Sequence, residues 1–184
     1  MPCRSLALAL VLVACNSTPE GSAGQPAEVE RSAPLKEGVK TVEFSVEIAA
    51  PVETVWARMF SLDGYGQWTA AFGSGNYFEG TLEQGQRMRF LGPGGNGMIA
   101  EVEQIQEHRF VSFKHLGYVF SGEVDTTSDS VTSWAPAYEI YRFESVPSGT
   151  RVVIEQDVLT NAEEFMGQAW SKALEDLKAL CEAG

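Results

Sequence analysis

Hydrophobic and polar residues alternate without interruption just after residue 40. The apolar positions are Val42, Phe44, Val46 and Ile48, and the residues between them are Glu43, Ser45 and Glu47. A period of two is typical of a strand that has one face in the core and the other in water. The pattern therefore predicts a strand over residues 41–48.

A helical period begins directly after this strand, at Pro51. Proline suits the first turn of a helix, because its missing N–H would have no intrahelical partner there. The apolar residues that follow recur at three-and-four spacing and are Val52, Val55, Trp56, Met59 and Phe60. We predict a short amphipathic helix, and we expect residues 63–66, which include two glycines, to end it.

Short apolar runs separated by turn-forming residues occupy the middle of the chain, from residue 77 to residue 158. The predicted strands are 87–91, 98–105, 110–119, 138–146 and 150–158. No run in this region has a helical period. Neighbouring strands with short connections pair antiparallel, and helices near both ends of the region complete a predicted α+β fold.

The longest helical period lies at the C-terminus, over residues 162–182. Asn161 is placed to cap this helix, with Glu164 as its capping-box partner. The apolar stripe consists of Phe165, Met166, Ala169, Trp170, Ala173, Leu174, Leu177, Leu180 and Cys181. A stripe of this length needs a sheet to cover it. We therefore expect the helix to lie on a curved sheet, with a space between them.

The order of these elements resembles a known superfamily. The supporting segments are Ala50-Pro51-Val52-Glu53-Thr54-Val55-Trp56, the second tryptophan Trp68, Gly149-Thr150-Arg151-Val152, and the terminal helix with Trp170, Leu174 and Leu177. Over residues 40–183 the chain is similar to START-like (SRPBCC) domains of the helix-grip fold. Its nearest branch is the domain similar to the activator of the heat-shock-protein-90 ATPase. The resemblance implies a curved antiparallel sheet wrapped around a long C-terminal helix, with short helices after the first strand.

The first fifteen residues have the layout of a secretory signal, with Arg4, an apolar run and a small residue before Cys15. The apolar run is half the length of the roughly 20 residues that cross a membrane. Leu12-Val13-Ala14-Cys15 also resembles the bacterial lipobox, which implies cleavage after residue 14 and acylation of Cys15, for instance with palmitate. A plain signal peptide is the alternative. We expect a lipoprotein of the bacterial cell envelope that faces the periplasm or the exterior.

Residues 15–39 are rich in Pro, Gly, Ser and Ala and predict a disordered tether between the lipidated Cys15 and a domain over residues 40–184. With residues 1–14 removed as a signal and Cys15 acylated, Cys181 is left without a disulfide partner. The whole chain has 13 basic and 25 acidic residues, a net charge of −12. The electrostatic field of this negative charge repels nucleic-acid phosphates, so nucleic acid is not a predicted partner.

One glycine-rich segment, residues 92–97, matches the pattern G-x-G-x-x-G. A dinucleotide site of this kind requires a helix to follow the glycines, because the helix N-terminus holds the pyrophosphate. The residues that follow are typical of a strand instead. We therefore predict a hairpin turn and no cofactor.

The sequence has few residue patterns that indicate a metal site or a catalytic nucleophile. The two histidines, His108 and His115, would face opposite sides of one strand, and no cysteine or histidine cluster has the spacing of a zinc site. Ser74 lacks the spacing of a nucleophile elbow. Carboxylates at alternating strand positions are expected on a solvated face; they are Glu43, Glu47, Glu101, Glu103, Glu155 and Asp157.

Nine residues are predicted to line a ligand site between the sheet and the C-terminal helix. They are Phe44, Trp68, Met88, Phe90, Phe113, His115, Tyr141, Phe143 and Trp170. The favoured hypothesis is that this site binds a small lipophilic molecule or lipid without chemistry. One alternative is a cyclase- or hydratase-type enzyme with His115 or Tyr141 as acid or base. Another is a protein-interaction module similar to the co-chaperone.

Overall fold

The computed structural model describes residues 34–183. Within this range the strands are β1 (Val39–Ile48), β2 (Tyr77–Glu79), β3 (Arg87–Leu91), β4 (Gly97–Gln106), β5 (Phe110–Phe120), β6 (Glu123–Asp125), β7 (Ala137–Val146) and β8 (Gly149–Leu159). The α-helices are α1 (Val52–Phe60), α2 (Leu62–Trp68), α3 (Asp129–Thr132) and α4 (Glu163–Glu182). The predicted α+β class and helix-grip arrangement are confirmed, while β2, β6 and the short α3 were not expected.

All the strands described belong to one antiparallel sheet, in the order β1-β8-β7-β5-β4-β3-β2, with β6 paired to β5. The first and last strands are therefore neighbours, and Phe44 pairs with Ile154. The register shifts twice along the β4–β5 pair. Such bulges bend a sheet locally.

Helix α4 buries one side against the sheet and against α1 and α2. Its buried residues are Ala169, Trp170, Ala173, Leu174, Leu177 and Cys181. The N-terminal end of the helix differs from the sequence prediction. Asn161 lies in a 3₁₀ turn, no side chain caps the helix, and Phe165 is 60% exposed. The first turn instead carries Glu163, whose carboxylate contacts Lys40 of β1 at 2.5 Å.

The segment expected to end the first helix forms a second one, so that prediction was wrong. The break occurs earlier, at Ser61, which is extended and whose hydroxyl accepts from the N–H of Gly64. Gly64 is required for packing, since a Cβ there would lie 1.9 Å from the carbonyl oxygen of Arg58. Gly64 therefore permits the close turn between α1 and α2.

Residues 92–96 form the turn of the β3–β4 hairpin that was predicted for this glycine-rich segment. Gly94 and Gly95 have φ angles of 84° and 73°, which favour glycine. The chain returns as a strand, because Gly97 pairs with Leu91. The helix that a dinucleotide site would need is thus replaced by β4.

The predicted signal peptide, the acylated Cys15 and most of the tether lie outside the described residues. Among residues 34–183 the first strand begins at Val39, close to the predicted domain start. No helix in this part of the chain is long and apolar enough to cross a membrane.

Candidate ligand-binding cavity

A cavity of about 460 Å³ lies between the sheet, α2 and the N-terminal half of α4. Its volume falls within the range of roughly 300–1,000 Å³ that is typical of small-molecule sites. The apolar wall is formed by Phe60, Tyr65, Trp68, Phe72, Phe90, Leu91, Met98, Phe113, Met166 and Trp170. The hairpin turn after β3 closes one side. The arrangement suits an apolar guest.

Aromatic contacts hold this wall in place. Trp68 stacks on Trp170 with ring centroids 5.9 Å apart, and Phe90 meets Phe113 edge to face at 5.1 Å. The indole N–H of Trp68 donates to the carbonyl of Met59 at 3.0 Å. Stacked and edge-to-face rings stabilise one another beyond their buried area. The cavity is therefore bounded by side chains that are already fixed.

A buried polar cluster occupies the sheet side of the cavity and centres on Glu139 of β7, whose side chain is 15% exposed. One carboxylate oxygen accepts from Nε2 of Gln156 at 2.8 Å and lies 3.3 Å from Nε2 of His115. The other accepts the hydroxyl of Tyr141. Three neighbouring strands, β5, β7 and β8, thus converge on one carboxylate.

The charges of this cluster follow from its contacts. Burial opposes ionisation of Glu139, but hydrogen bonds and charge from His115, with hydrogen bonds from Tyr141 and Gln156, outweigh it and lower the pKa of the carboxyl. Burial and then the charge of Glu139 raise the pKa of Tyr141 well above 10, and the same two causes raise the pKa of Tyr65. The cluster is therefore a carboxylate within hydrogen-bond distance of the side chains of His115, Tyr141 and Gln156.

His115 has one ring nitrogen engaged and the other without a partner. Because Glu139 is ionised, the nitrogen that faces it, Nε2, is assigned the hydrogen in the neutral ring. The Nδ1 atom is buried, and the described residues offer it no hydrogen-bond partner. A buried polar atom in this state is rare and needs an explanation. A polar group on a bound ligand would supply the missing partner.

A smaller chamber of about 150 Å³ adjoins the cavity. The two share Met98, His115, Gln156 and Met166 as wall residues. The chamber continues toward Trp134 and the ends of β1 and β8. His115 and Gln156 therefore stand between a larger and a smaller apolar space.

An open groove of about 700 Å³ also runs between β1 and the start of α4. It is larger than the cavity, but its walls include Lys40, Glu43, Glu163 and Glu164. It lies against solvent and lacks the aromatic wall. We therefore place the candidate site in the cavity with the aromatic wall.

Six of the nine sequence-predicted site residues line the cavity: Trp68, Phe90, Phe113, His115, Tyr141 and Trp170. The other three, Phe44, Met88 and Phe143, belong to the surrounding core. Phe44 stacks on Trp170 at 5.7 Å, and Phe143 packs against Trp56 at 5.1 Å. Phe44 therefore lies behind the wall residue Trp170 and lines the open groove between β1 and α4, while Met88 and Phe143 are buried in the core.

Two central residues of the site, Glu139 and Gln156, were missed at the sequence level. Charged and amide side chains in strands are expected on the solvated face, which is where Asp157 was also placed. Asp157 is in fact buried and accepts from the N–H of Tyr138 at 2.9 Å. The alternation of side chains along a strand could have revealed Glu139, because it lies two residues before Tyr141 and therefore on the same face of β7.

Metal binding finds no support in this part of the chain. Among residues 34–183 no group of three or more histidine, cysteine, aspartate or glutamate side chains is arranged to hold an ion. His108 lies in the turn between β4 and β5, packed on Trp56 and away from His115. Neither histidine belongs to a group of three or more side chains that could coordinate a metal ion in the described part of the chain.

Comparison with protein families gives one match that spans most of the chain. The family model described as Activator of Hsp90 ATPase homolog 1-like protein matches residues 49–182. The chain belongs to this family. The resemblance inferred from the sequence is therefore confirmed, and membership of this family supports a module that binds a ligand or a partner protein. A search of the curated proteins finds no significant match.

Solved structures of this activator-like fold agree with the family assignment. A Mesorhizobium loti protein has a TM-score of 0.59 at 16% identity, covering 78% of this chain and 98% of its own. A Mycobacterium smegmatis protein has a TM-score of 0.57 at 18% identity, covering 82% and 99%. The Aha1 dimer from Colwellia psychrerythraea has a TM-score of 0.58 at 19% identity, covering 76% and 93%. At such identities the likeness establishes the fold.

Proposed function

We propose that this activator-like domain binds a small lipophilic ligand in the cavity beneath α4 and does not transform it. The observation that carries the proposal is the cavity itself, about 460 Å³ with a wall of aromatic and aliphatic side chains. A few polar groups converge at one place on that wall. Apolar pockets with a few placed polar groups are the usual form of a small-molecule site.

We further propose that the domain acts outside the cytoplasm, held to a membrane through acylated Cys15. The lipobox-like Leu12-Val13-Ala14-Cys15 supports this placement. Two or more acyl chains are needed for stable anchoring, at about 0.8 kcal/mol for each buried methylene. Mass spectrometry of the mature N-terminal peptide tests it, and Cys15→Ser should move the protein from the membrane to the soluble fraction. An unprocessed or unacylated N-terminus would contradict the anchor.

The ligand-binding proposal is tested with a substitution that fills the cavity. Met166 lines the cavity from α4, whereas its neighbour Phe165 is exposed. We expect Met166→Trp to lower the affinity for the neutral dye Nile red at least about tenfold. Phe165→Trp is the matched control and should leave binding unchanged. Solvent extraction of the purified full chain, followed by mass spectrometry, identifies any ligand that co-purifies.

The outcomes of this experiment decide whether the cavity is a ligand-binding site. Saturable dye binding that responds to Met166→Trp but not to Phe165→Trp supports the cavity as the site. Equal binding by both variants would move the site elsewhere. No saturable binding, together with no extracted ligand, would refute the proposal and favour a protein-interaction module.

A second candidate function is catalysis in the same cavity, which the pairing of His115 with Glu139 favours. A carboxylate that orients an imidazole, with the other ring nitrogen unpartnered, is a common arrangement for a general base. The test is incubation of the co-purified ligand with the protein in D₂O. Deuterium uptake that is lost in His115→Ala while the ligand still binds would support an enzyme. Binding without exchange would support the carrier.

A further inference from the structure

We propose that the ligand is uncharged and carries a hydrogen-bond donor, a hydroxyl or amide N–H, that Nδ1 of His115 accepts. The inference rests on the proposed function, because it names the chemical class of the guest in the same cavity. A site of this kind would bind neutral lipophilic molecules with a hydroxyl group more tightly than fatty acids and other anionic lipids. The argument uses the contacts around Glu139 and the charges that line the cavity.

The polarity of the cluster leaves an acceptor facing the guest. Glu139 accepts from Nε2 of Gln156, and the indole Nε1 of Trp170 occupies the amide oxygen of Gln156 at 2.8 Å. That second bond fixes which end of the amide faces Glu139. The hydroxyl of Tyr141 also donates to Glu139. The carboxylate therefore already accepts hydrogen bonds from protein side chains. When its ring is neutral, His115 contributes Nε2–H to this set and presents Nδ1 as a lone pair.

The position of His115 makes a ligand the natural donor. Its side chain is 8% exposed, so bulk water is not a ready partner for Nδ1. His115 lines both the cavity and the adjoining chamber. A ligand bound in the cavity or in the chamber would therefore lie next to the His115 ring. An acceptor that stays unpaired in the complex lowers affinity, so a guest with a donor is favoured over the same guest without one.

The charge lining the cavity sets the second requirement. Glu139 is the one carboxylate among the lining residues, and no lysine or arginine is among them. The arginines near this part of the sheet face other carboxylates, since Arg142 pairs with Glu155 and Arg89 with Glu79. Beside a neutral His115 ring, an anionic headgroup would meet the charge of Glu139, and the lining residues include no lysine or arginine to compensate it. Repulsion between like charges is strong where water is excluded.

Three naphthalene probes of nearly equal shape test the proposal by calorimetric titration of the full chain at pH 7.5. They are 2-naphthol, 2-methoxynaphthalene and 2-naphthoate. The naphthol keeps the donor, the methyl ether removes it, and the naphthoate replaces it with a charge. We expect 2-naphthol to bind at least about tenfold more tightly than the ether, and the naphthoate to bind most weakly.

Two variants assign the preference to its residues. His115→Phe keeps a ring of similar size and should equalise the naphthol and the ether. Glu139→Gln removes the charge and should narrow the gap between naphthol and naphthoate. If either variant fails to fold, the ¹⁵N signal of the His115 ring in the wild type gives a separate readout, because Nδ1 should shift on addition of naphthol and not of the ether.

The probe series distinguishes failure of the inference from failure of the proposed function. If the three probes bind equally, or the naphthoate binds most tightly, the inference is wrong while the cavity remains a binding site. If none of them binds and Nile red does not bind either, the proposed function itself is refuted. Tighter binding of naphthol that survives in His115→Phe would also overturn the inference.

Discussion

The indole Nε1 of Trp170 donates a hydrogen bond of 2.8 Å to the side-chain oxygen of Gln156, and this bond links helix α4 to strand β8. Gln156 passes the contact on, since its amide nitrogen donates to Glu139. The helix that covers the cavity is thus connected, through one amide, to the carboxylate that orients His115. Helix α4 and the polar cluster therefore share one continuous chain of hydrogen bonds.

The first prediction compares two tryptophans. Trp170→Phe removes the donor to Gln156 and leaves a part-buried amide oxygen unpaired, which costs about 1 kcal/mol or more. Trp134→Phe is the matched control, because its indole nitrogen is buried and has no hydrogen-bond partner among the described residues. We expect Trp170→Phe to lower the free energy of unfolding in urea by about that much more than Trp134→Phe. Equal losses would mean that the hydrogen bond contributes nothing.

The second prediction concerns stability in acid. The pKa of Glu139 lies below its ordinary value of 4.5 in the folded state. Its contribution is therefore fully present above pH 4.5 and is lost as the pH falls through the folded pKa, because the unfolded chain takes up the proton first. We expect the free energy of unfolding to fall less steeply between pH 5 and pH 3 in Glu139→Gln than in the wild type.

Urea denaturation at each pH makes this comparison. The slope that remains in the variant belongs to other carboxylates with a lowered pKa. Asp125 is one, through hydrogen bonds from Ser128 and Thr127, and Glu182 is another, through hydrogen bonds from Ala49 and Lys178. Identical slopes in the two proteins would show that Glu139 is not preferentially ionised in the folded state.

Packing around the second helix yields the third prediction. A Cβ added at Gly64 would lie 1.9 Å from the carbonyl oxygen of Arg58, a backbone atom that cannot move aside cheaply. We expect Gly64→Ala to destabilise the protein by about 3 kcal/mol. Gly167→Ala is the matched control within α4, where a Cβ meets nothing within 4 Å. It should stabilise the helix by about 0.5–1 kcal/mol.

Thermal unfolding followed by circular dichroism checks this pair of glycines. A large loss of melting temperature for Gly64→Ala and a small gain for Gly167→Ala are expected. Tolerance of alanine at Gly64 would mean that α1 and α2 do not approach as closely as described. A loss at Gly167 would place an unseen contact on that side of α4.

The fold could be predicted from the sequence because its main elements carry a pure periodicity. The alternation in β1 and the long stripe of α4 each have one physical interpretation. The segment with Gly64 and Gly66 did not, because glycine both interrupts helices and permits close packing between them. Local sequence does not distinguish these roles. The distance to Arg58, which decides between them, exists in the folded chain alone.

The cavity could be predicted in part for a related reason. Aromatic residues on an inward face were identifiable by parity, and Tyr141 was found in this way. Glu139 shares that parity, but a carboxylate in a strand is expected to face water unless its partners are known. Those partners, His115 and Gln156, come from the two strands on either side of β7. The polar cluster therefore becomes visible when β5, β7 and β8 are brought side by side.

The fourth prediction is that Cys181 reacts slowly with thiol reagents. Burial raises the pKa of its thiol from 9.0 to about 11, with a smaller effect of nearby charges. The thiolate is the reactive species, so its population at pH 8 falls about a hundredfold for a shift of this size. Labelling with iodoacetamide should be slow in the folded protein and fast in urea. Rapid labelling under native conditions would contradict the burial.

Helix α4 divides its two tasks along its length. Met166 and Trp170, near its beginning, face the cavity, whereas Leu174, Leu177 and Cys181 pack into the solid core. If the cavity binds the proposed guest, substitutions of the half-buried Met166 can alter which guest is accepted, while the buried residues of the later turns hold α4 in the core. Trp170 lines the cavity and also belongs to the core, so specificity can vary more freely at Met166 than at Trp170.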